Sequence, residues 1–295
     1  MLAAERFRRL LSDLAPDAPQ RESGLRAHRT IRAVLQSHYY GHLTITDHSR
    51  LIGAWAKGTE VRPPRSVDLL FALPKALRDR DWASRSPDGK ALQLMHDVEQ
   101  VLIASGRPAR LRSDGLAITV PADRETVEIR PAFALPGGRY QVCHGYGDGD
   151  FYTYDPASEE TNLRHSDTRS HGNARDLIRM MKCWQGYRRI PIASFALELL
   201  AIEFLASWPR AGDSASFYDW MIRDFFGFLE GQAGRSLAVP GGGDRTLDIG
   251  APWLSAARTA HIHASKACEA ESEGLDADAW WEWEKIFGER VPLEA

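Results

Sequence analysis

At 295 residues the chain is long enough for one large unit or two packed lobes with substantial cores. Its 43% hydrophobic and 26% charged residues are the balance of an ordinary globular protein, and the formal net charge of −3 excludes a global basic field for coating nucleic acid. No apolar run approaches the length of a membrane span. Cys143, Cys183 and Cys268 are odd in number and show no CxxC or zinc spacing, so a reducing, cytoplasmic setting is expected.

Phe7, Leu10, Leu11 and Leu14 recur at helical spacing and predict a short docking helix. After a break at Pro16–Pro19, Leu25, Ile31, Val34 and Leu35 predict a second helix over 22–39. Residues 51–74, LIGAWAKGTEVRPPRSVDLLFALP, are punctuated by Gly53, Gly58 and Pro63-Pro64 before a strand at Asp68–Leu73. A helix follows at 90–104. Strands are expected at Gly115–Val120, Thr126–Arg130 and Arg139–Cys143. From about residue 160 the pattern is helical throughout, with stripes over 173–187, 194–207, 215–230, 252–270 and 276–287. The glycine-rich 239–244 reads as a flexible connection, because a phosphate loop would need a Lys-Ser/Thr pair. These elements give an α+β region over 1–160, including the N-terminal helices, and a helical lobe over 161–295.

Several residues carry more than one reading. Asp68 opens an apolar strand, where an acid can face a metal or pair with a nearby arginine. Glu128 alternates with Val127 and Ile129, so it can belong to a site or to a solvent face. Arg175, Arg179 and Lys182 form one basic stripe, which by spacing alone is a solvated face. Leu177, Ile178, Met181 and Trp184 cover the other side as core. Ser194 suits a helix N-cap, and a helix N-terminus also suits an anion. Phe151, Tyr152 and Tyr154 can stack on a base or simply be buried. Trp280, Trp283 and Phe287 make a docking stripe for the last helix, and the histidines show no ligand spacing.

Six ordered stretches carry a family resemblance: GAWAKGTEVRPPRSVDLLFALP (53–74), TVEIRPAF (126–133), ARDLIRMMKCWQ (174–185), IPIASFALELLAIEFL (190–205), FYDWMIRDFFGFL (217–229) and WEWEKIFG (281–288). In them the chain resembles the bacterial cyclic-oligonucleotide synthases of antiphage (CBASS) systems, relatives of oligoadenylate synthetase and cyclic GMP-AMP synthase. The resemblance implies a polymerase-beta-like nucleotidyltransferase core with a mixed sheet, N-terminal helices and a helical C-terminal lobe. It implies nucleoside triphosphates such as ATP and GTP as substrates, a two-metal magnesium site (manganese as a substitute), and partner proteins from a defence system. Neither a membrane nor bulk nucleic acid is implied.

Carried over by position, Asp68 is the second carboxylate of the Asp-x-Asp pair and Glu128 the third acid. Lys182 and Ser194, with Arg175 and Arg179, border the triphosphate. Two positions depart from the pattern. Ser66 stands at the first aspartate, and the Gly-Ser turn reads Gly53-Ala54. A neutral hydroxyl is a poor magnesium ligand, so the resemblance implies a degenerate metal site. The alternative is a catalytically silent relative that binds nucleotides, cyclic oligonucleotides or a protein.

Overall fold

The structure, a computed structural model, describes residues 3–41, 46–63, 66–79, 89–144 and 151–292. It begins with α1 (Ala3–Leu14), α2 (Ala18–Tyr40), β1 (Ser49–Ile52), α3 (Gly53–Lys57), β2 (Val67–Ala72), α4 (Lys75–Arg78) and α5 (Lys90–Ala104). Strands β3 (Arg110–Leu111), β4 (Ile118–Ala122), β5 (Glu125–Ala134), β6 (Tyr140–Cys143) and β7 (Phe151–Tyr154) follow. Next come α6 (Pro156–Arg169), α7 (Asn173–Tyr187), α8 (Ser194–Ser207) and α9 (Tyr218–Glu230). Strands β8 (Ser236–Ala238) and β9 (Thr246–Asp248) precede α10 (Leu254–Ser272) and α11 (Asp276–Phe287). The chain falls into two units. One contains Pro16–Gly58 and Pro64–Glu160; the other contains Met1–Ala15, Thr59–Pro63 and Thr161–Ala295. The first helix therefore groups with the helical unit, not with the first 160 residues.

The sheet unit is organised by β5, the longest strand. Its order is β1-β2-β5-β4-β3, with β6 also on β5 and β7 on β6. β2 and β5 run parallel, and the other pairs are antiparallel. Side chains alternate across a strand, so Leu69, Phe71, Val127 and Ile129 all face one side. There they pack with Ala27, Ile31 and Leu35 of α2 and Leu94, Met95, Val98 and Leu102 of α5. Each Val, Leu, Ile, Met or Phe so buried contributes ~1.5–3 kcal/mol. The opposite face holds a smaller cluster of Ile52, Leu70, Ala132, Val142 and Tyr154. α2 starts at a capping box: the Gln20 amide donates to Asp17 at 2.8 Å and the Asp17 amide donates to the Gln20 side chain at 3.1 Å.

The helical unit is built around α8, whose Leu197, Leu200, Ala201, Phe204 and Leu205 are buried with Trp184, Phe225, Phe226, Trp253 and Trp283. α1 docks as expected, with Phe7 edge-on to Trp283 at 5.1 Å and to Tyr218 at 6.5 Å. Beside it the fully buried Arg6 donates to Glu271 and to the Asp276 carbonyl. The docking stripe of α11 is borne out, with Trp283 and Phe287 buried. One expectation fails. The region after residue 160 is not all helix, because β8 and β9 form a small hairpin with Leu237 opposite Leu247. The glycine-rich 239–244 is its turn region, closed by backbone bonds from Val239 to Arg245 and from Gly242 to Val239. Strands this short leave too little alternation for a sequence pattern.

Candidate functional site

In the sheet unit the two acids are brought together. Asp68 on β2 and Glu128 on β5 are directly opposite in the parallel register. Both are half-buried, while their neighbours Val67, Leu69, Val127 and Ile129 are fully buried on the other face. The hydrophobic pattern thus fixes where the carboxylates point, since a one-residue slip would bury both. β1 ends at Ile52, which lies opposite Asp68.

The turn after β1 touches the same acid. Gly53 has φ +65°, and a Cβ there would sit 2.4 Å from Asp68 Oδ2. Glycine is required here both by conformation and by space. Ala54 continues into α3, and Trp55 then anchors the turn. Its indole Nε1 donates to the Ser66 carbonyl at 2.9 Å, and its ring lies where any Cβ on Gly24 would collide. Ser66 stands half-buried at the entrance to β2, two residues before Asp68. Gly53, Ala54, Ser66, Asp68 and Glu128 therefore share one small region of one unit.

Each acid has an arginine. Arg130, two residues after Glu128 on the same face of β5, donates to Asp68 Oδ1 at 3.4 Å. Arg112 donates to Glu128 Oε2 at 2.7 Å and also reaches Asp114. Burial works against the charge on Arg130, but Asp68 foremost holds its guanidinium protonated well above the ordinary value. Arg112 is raised in the same sense, burial being outweighed by Glu128 and Asp114. Of the two readings that its sequence position left open, a metal-facing acid or an arginine partner, the arginine pairing is present.

Nucleotidyltransferases of this kind are generally metal-dependent, so the residues can be tested against a pair of magnesium ions. They do not fit it. Magnesium takes charged oxygens in near-octahedral geometry, and a shared pair needs a bridging carboxylate where Ser66 offers a neutral hydroxyl. The two carboxylates that remain are both engaged by guanidinium groups. Among the described residues no group of three or more His, Cys, Asp or Glu is placed to hold a metal.

Of the residues predicted to bind phosphate, Gly53 and Ala54 lie in the sheet unit, and Lys182, Ser194, Arg175 and Arg179 lie in the helical unit. Lys182 is 8% exposed, so the reading of its stripe as a solvated face fails at this position. Its Nζ donates at 2.9 Å both to the Thr59 carbonyl and to Thr59 Oγ1. Arg175 is bound by Asp167, and Arg179 lies 3.5 Å from Asp176. Ser194 is not the N-cap of α8. The cap is Ala193, and the Ser194 hydroxyl donates instead to Gln185 Oε1 at 2.8 Å, tying α8 to α7. Leu177, Ile178, Met181 and Trp184 are core, as the periodicity predicts.

Sequence reasoning did not single out Arg112 or Arg130. Arg130 was legible, because strand alternation places it beside Glu128 on the acid face. Arg112 carried no signal, since it follows the two-residue strand β3. Of the aromatic trio, Tyr154 is buried and its hydroxyl donates to Glu159 at 3.3 Å, so it is structural. Phe151 packs on Phe133 at 5.9 Å. His261 and His263 pair with Glu230 and Glu282, each at 2.6 Å.

Comparison with known proteins adds three findings. Residues 1–166 match the Second Messenger Oligonucleotide or Dinucleotide Synthetase domain (SMODS). No curated protein matches the chain in sequence. Among solved structures, the fold resembles CdnC from E. coli MS115-1, seen with HORMA-deltaN and with ATP, at a TM-score of 0.70 and 16% identity over 98% of both chains. It also resembles the Vibrio cholerae DncV cyclic AMP-GMP synthase, a prokaryotic cGAS homolog, at a TM-score of 0.71 and 14% identity over 97% of this chain and 96% of that one. At such identities the structural likeness speaks for the fold. The domain match covers more than half of the sequence and carries the assignment, in agreement with the α+β nucleotidyltransferase fold expected from the motifs. The chain belongs to the family of second messenger oligonucleotide or dinucleotide synthetases.

Proposed function

We propose that this chain binds nucleoside triphosphates and that Ser66 holds its nucleotidyl transfer far below the rate of an intact synthetase. The observation that carries this reading is the face of β2 and β5. Asp68 and Glu128 stand in register with Gly53 against Asp68, yet the first acid position holds serine and both acids are neutralised by arginine. Binding is supported by what remains: the glycine turn, a fold shared with CdnC seen with ATP, and Lys182, an ammonium with three donors. Slow transfer is supported by what is missing. Losing one key electrostatic group typically costs a rate factor of ~10²–10³.

Lys182 and Ser194 are proposed phosphate ligands of the helical unit, with Arg175 and Arg179 contributing only by leaving Asp167 and Asp176. The reaction proposed for an intact site is in-line attack of a ribose hydroxyl on an α-phosphate, releasing pyrophosphate and building a cyclic di- or trinucleotide for antiphage signalling. A protein partner is proposed by likeness to the CdnC structure solved with HORMA-deltaN. A cytoplasmic location is proposed from the three cysteines, all buried and free. No helix among the described residues is long and apolar enough to cross a membrane.

Calorimetric titration of the chain with ATP, GTP, CTP and UTP tests the binding half. Saturable binding of at least one is expected, weakened ~10-fold by Lys182→Met, which keeps the aliphatic stem but removes a charge-assisted donor. Absence of binding for all four would remove the proposal.

A further inference from the structure

Asp68 and Glu128 stand side by side on adjacent strands, and like charges so placed repel. The register therefore calls for cations on this face of the sheet. Arg130 and Arg112 supply them from within the same unit, at 3.4 Å from Asp68 and 2.7 Å from Glu128. A pair of magnesium ions, which these residues do not fit, would meet the same electrostatic need.

Two features of the arginines matter for a ligand. The first is charge. Two carboxylates meet two guanidinium groups before any solute arrives. Asp114, the second partner of Arg112, is 39% exposed and left mainly to solvent. Two further ion pairs of this unit, Lys57–Glu159 and Arg50–Glu160, are each neutral within themselves. A magnesium ion entering here has to part each acid from its guanidinium and shed bound water. It must then find a further anionic oxygen where Ser66 offers only a hydroxyl.

The second is reach. A guanidinium carries several N–H donors in a planar fork. Arg130 gives one to Asp68, and Arg112 gives one to Glu128 and one to Asp114. Their side chains are 29% and 36% exposed, so an anion from solvent can meet them without breaking either pair. Nε of Arg130 is buried, which leaves the forked Nη end as the part it presents. The Gly53 turn lies against the same Asp68 carboxylate, so a triphosphate held at that turn is brought next to the Asp68–Arg130 pair.

We propose that the sheet-unit site takes its nucleoside triphosphate free of divalent cation, with Arg130 and Arg112 meeting phosphate oxygens while they neutralise Asp68 and Glu128. The inference rests on the reading that this site binds triphosphates, and it adds the form in which they are bound. It also joins Ser66 to the arginines as one arrangement. An acid at position 66 would set three carboxylates against two guanidinium groups, and the surplus negative charge would turn a phosphate away until a divalent ion was bound. With serine there, the two arginines suffice.

The test is calorimetry on the full chain with ATP, GTP, CTP and UTP, each titrated once in EDTA and once in magnesium. The parent should bind its preferred nucleotide at least as tightly in EDTA, because magnesium competes with the arginines for phosphate oxygens. Arg130→Met should weaken binding in EDTA by ~10-fold, the loss of a hydrogen bond between charged groups, and magnesium should recover most of it. Arg130→Lys keeps the charge, so it should lose less and stay indifferent to the ion. Ser66→Asp should bind well only in magnesium. A merely structural arginine would instead weaken binding equally in both buffers, and that result overturns the inference, as does an Arg130→Met variant that binds like the parent. A parent that binds only in magnesium also overturns it and leaves the triphosphate reading standing. No binding of any nucleotide in either buffer overturns both. The comparison of buffers on the parent needs no variant, so it decides the matter even if Arg130→Met fails to fold.

Discussion

Arginine does different work in the two units. In the helical unit Arg6 is fully buried and locks α1 to Glu271 and to the start of α11, where it is part of the core. In the sheet unit Arg130 and Arg112 are partly exposed and reach acids whose positions the strand register has already set. The difference lies in which partner is placed first. Glu271 needs Arg6 to be tolerable where it is. Asp68 and Glu128 would face the same way without their arginines, because Leu69, Phe71, Val127 and Ile129 hold the other face of the strands. An ion pair in the first setting is structure; in the second it is a counterion to the acids of the proposed site.

Stability measurements can break that contrast. Arg6→Met leaves Glu271 buried without its cation and should cost ~3–5 kcal/mol in urea unfolding, whereas Arg130→Met should cost only ~1 kcal/mol. Equal losses would show that Arg130 is a core element after all. Gly53→Ala comes next. The added methyl group would meet the Asp68 carboxylate in a left-handed backbone position, for an expected loss of ~2 kcal/mol, with Ala54→Gly costing ~1 kcal/mol or less. Thermal melts of the two variants check whether the turn is fitted to Asp68 as closely as the geometry says. Asp17→Ala removes the capping box of α2 and should cost ~1 kcal/mol, read as a lower melting temperature with the nucleotide titrations unchanged.

The smallest effect concerns pH. Burial would raise the Glu282 carboxyl, but hydrogen bonds from Lys285 and His263 outweigh it and leave the group below its ordinary value near 4.5. A depressed carboxylate stabilises the fold above its unfolded pKa, and that stability is lost as pH falls from about 4.5 through the lower folded value. Glu282→Gln should flatten the pH dependence of unfolding in this range, by under ~1 kcal/mol. An unchanged profile would mean that the triad is solvated in solution.

Much of this was legible in the chain before folding, for identifiable reasons. The α+β class and the helices α5, α7, α8 and α11 follow from alternation and 3.6-residue periodicity over long segments, whereas Asp68 and Glu128 were singled out by the family resemblance. Helix α6 escaped notice because PASEETNLRHSDTR is polar nearly all round, leaving periodicity little to register. The burial of Lys182 was equally hidden, because its partner Thr59 lies 123 residues away and spacing reports a face but not what covers it. Ser194 shows the same limit at short range. Its position one residue inside α8 turns an expected cap into a bond to Gln185.

The central claim is that Ser66 separates this fold from its chemistry, and pyrophosphate release tests it most directly. The chain as it stands, the Ser66→Asp Ala54→Ser variant, and that variant with Asp68→Asn are assayed side by side with all four nucleoside triphosphates and magnesium. The account predicts that the double variant outpaces the parent by ~10³-fold and that Asp68→Asn abolishes the gain. A parent that already reacts as fast as the double variant would contradict it, as would a double variant that releases no more pyrophosphate than the parent.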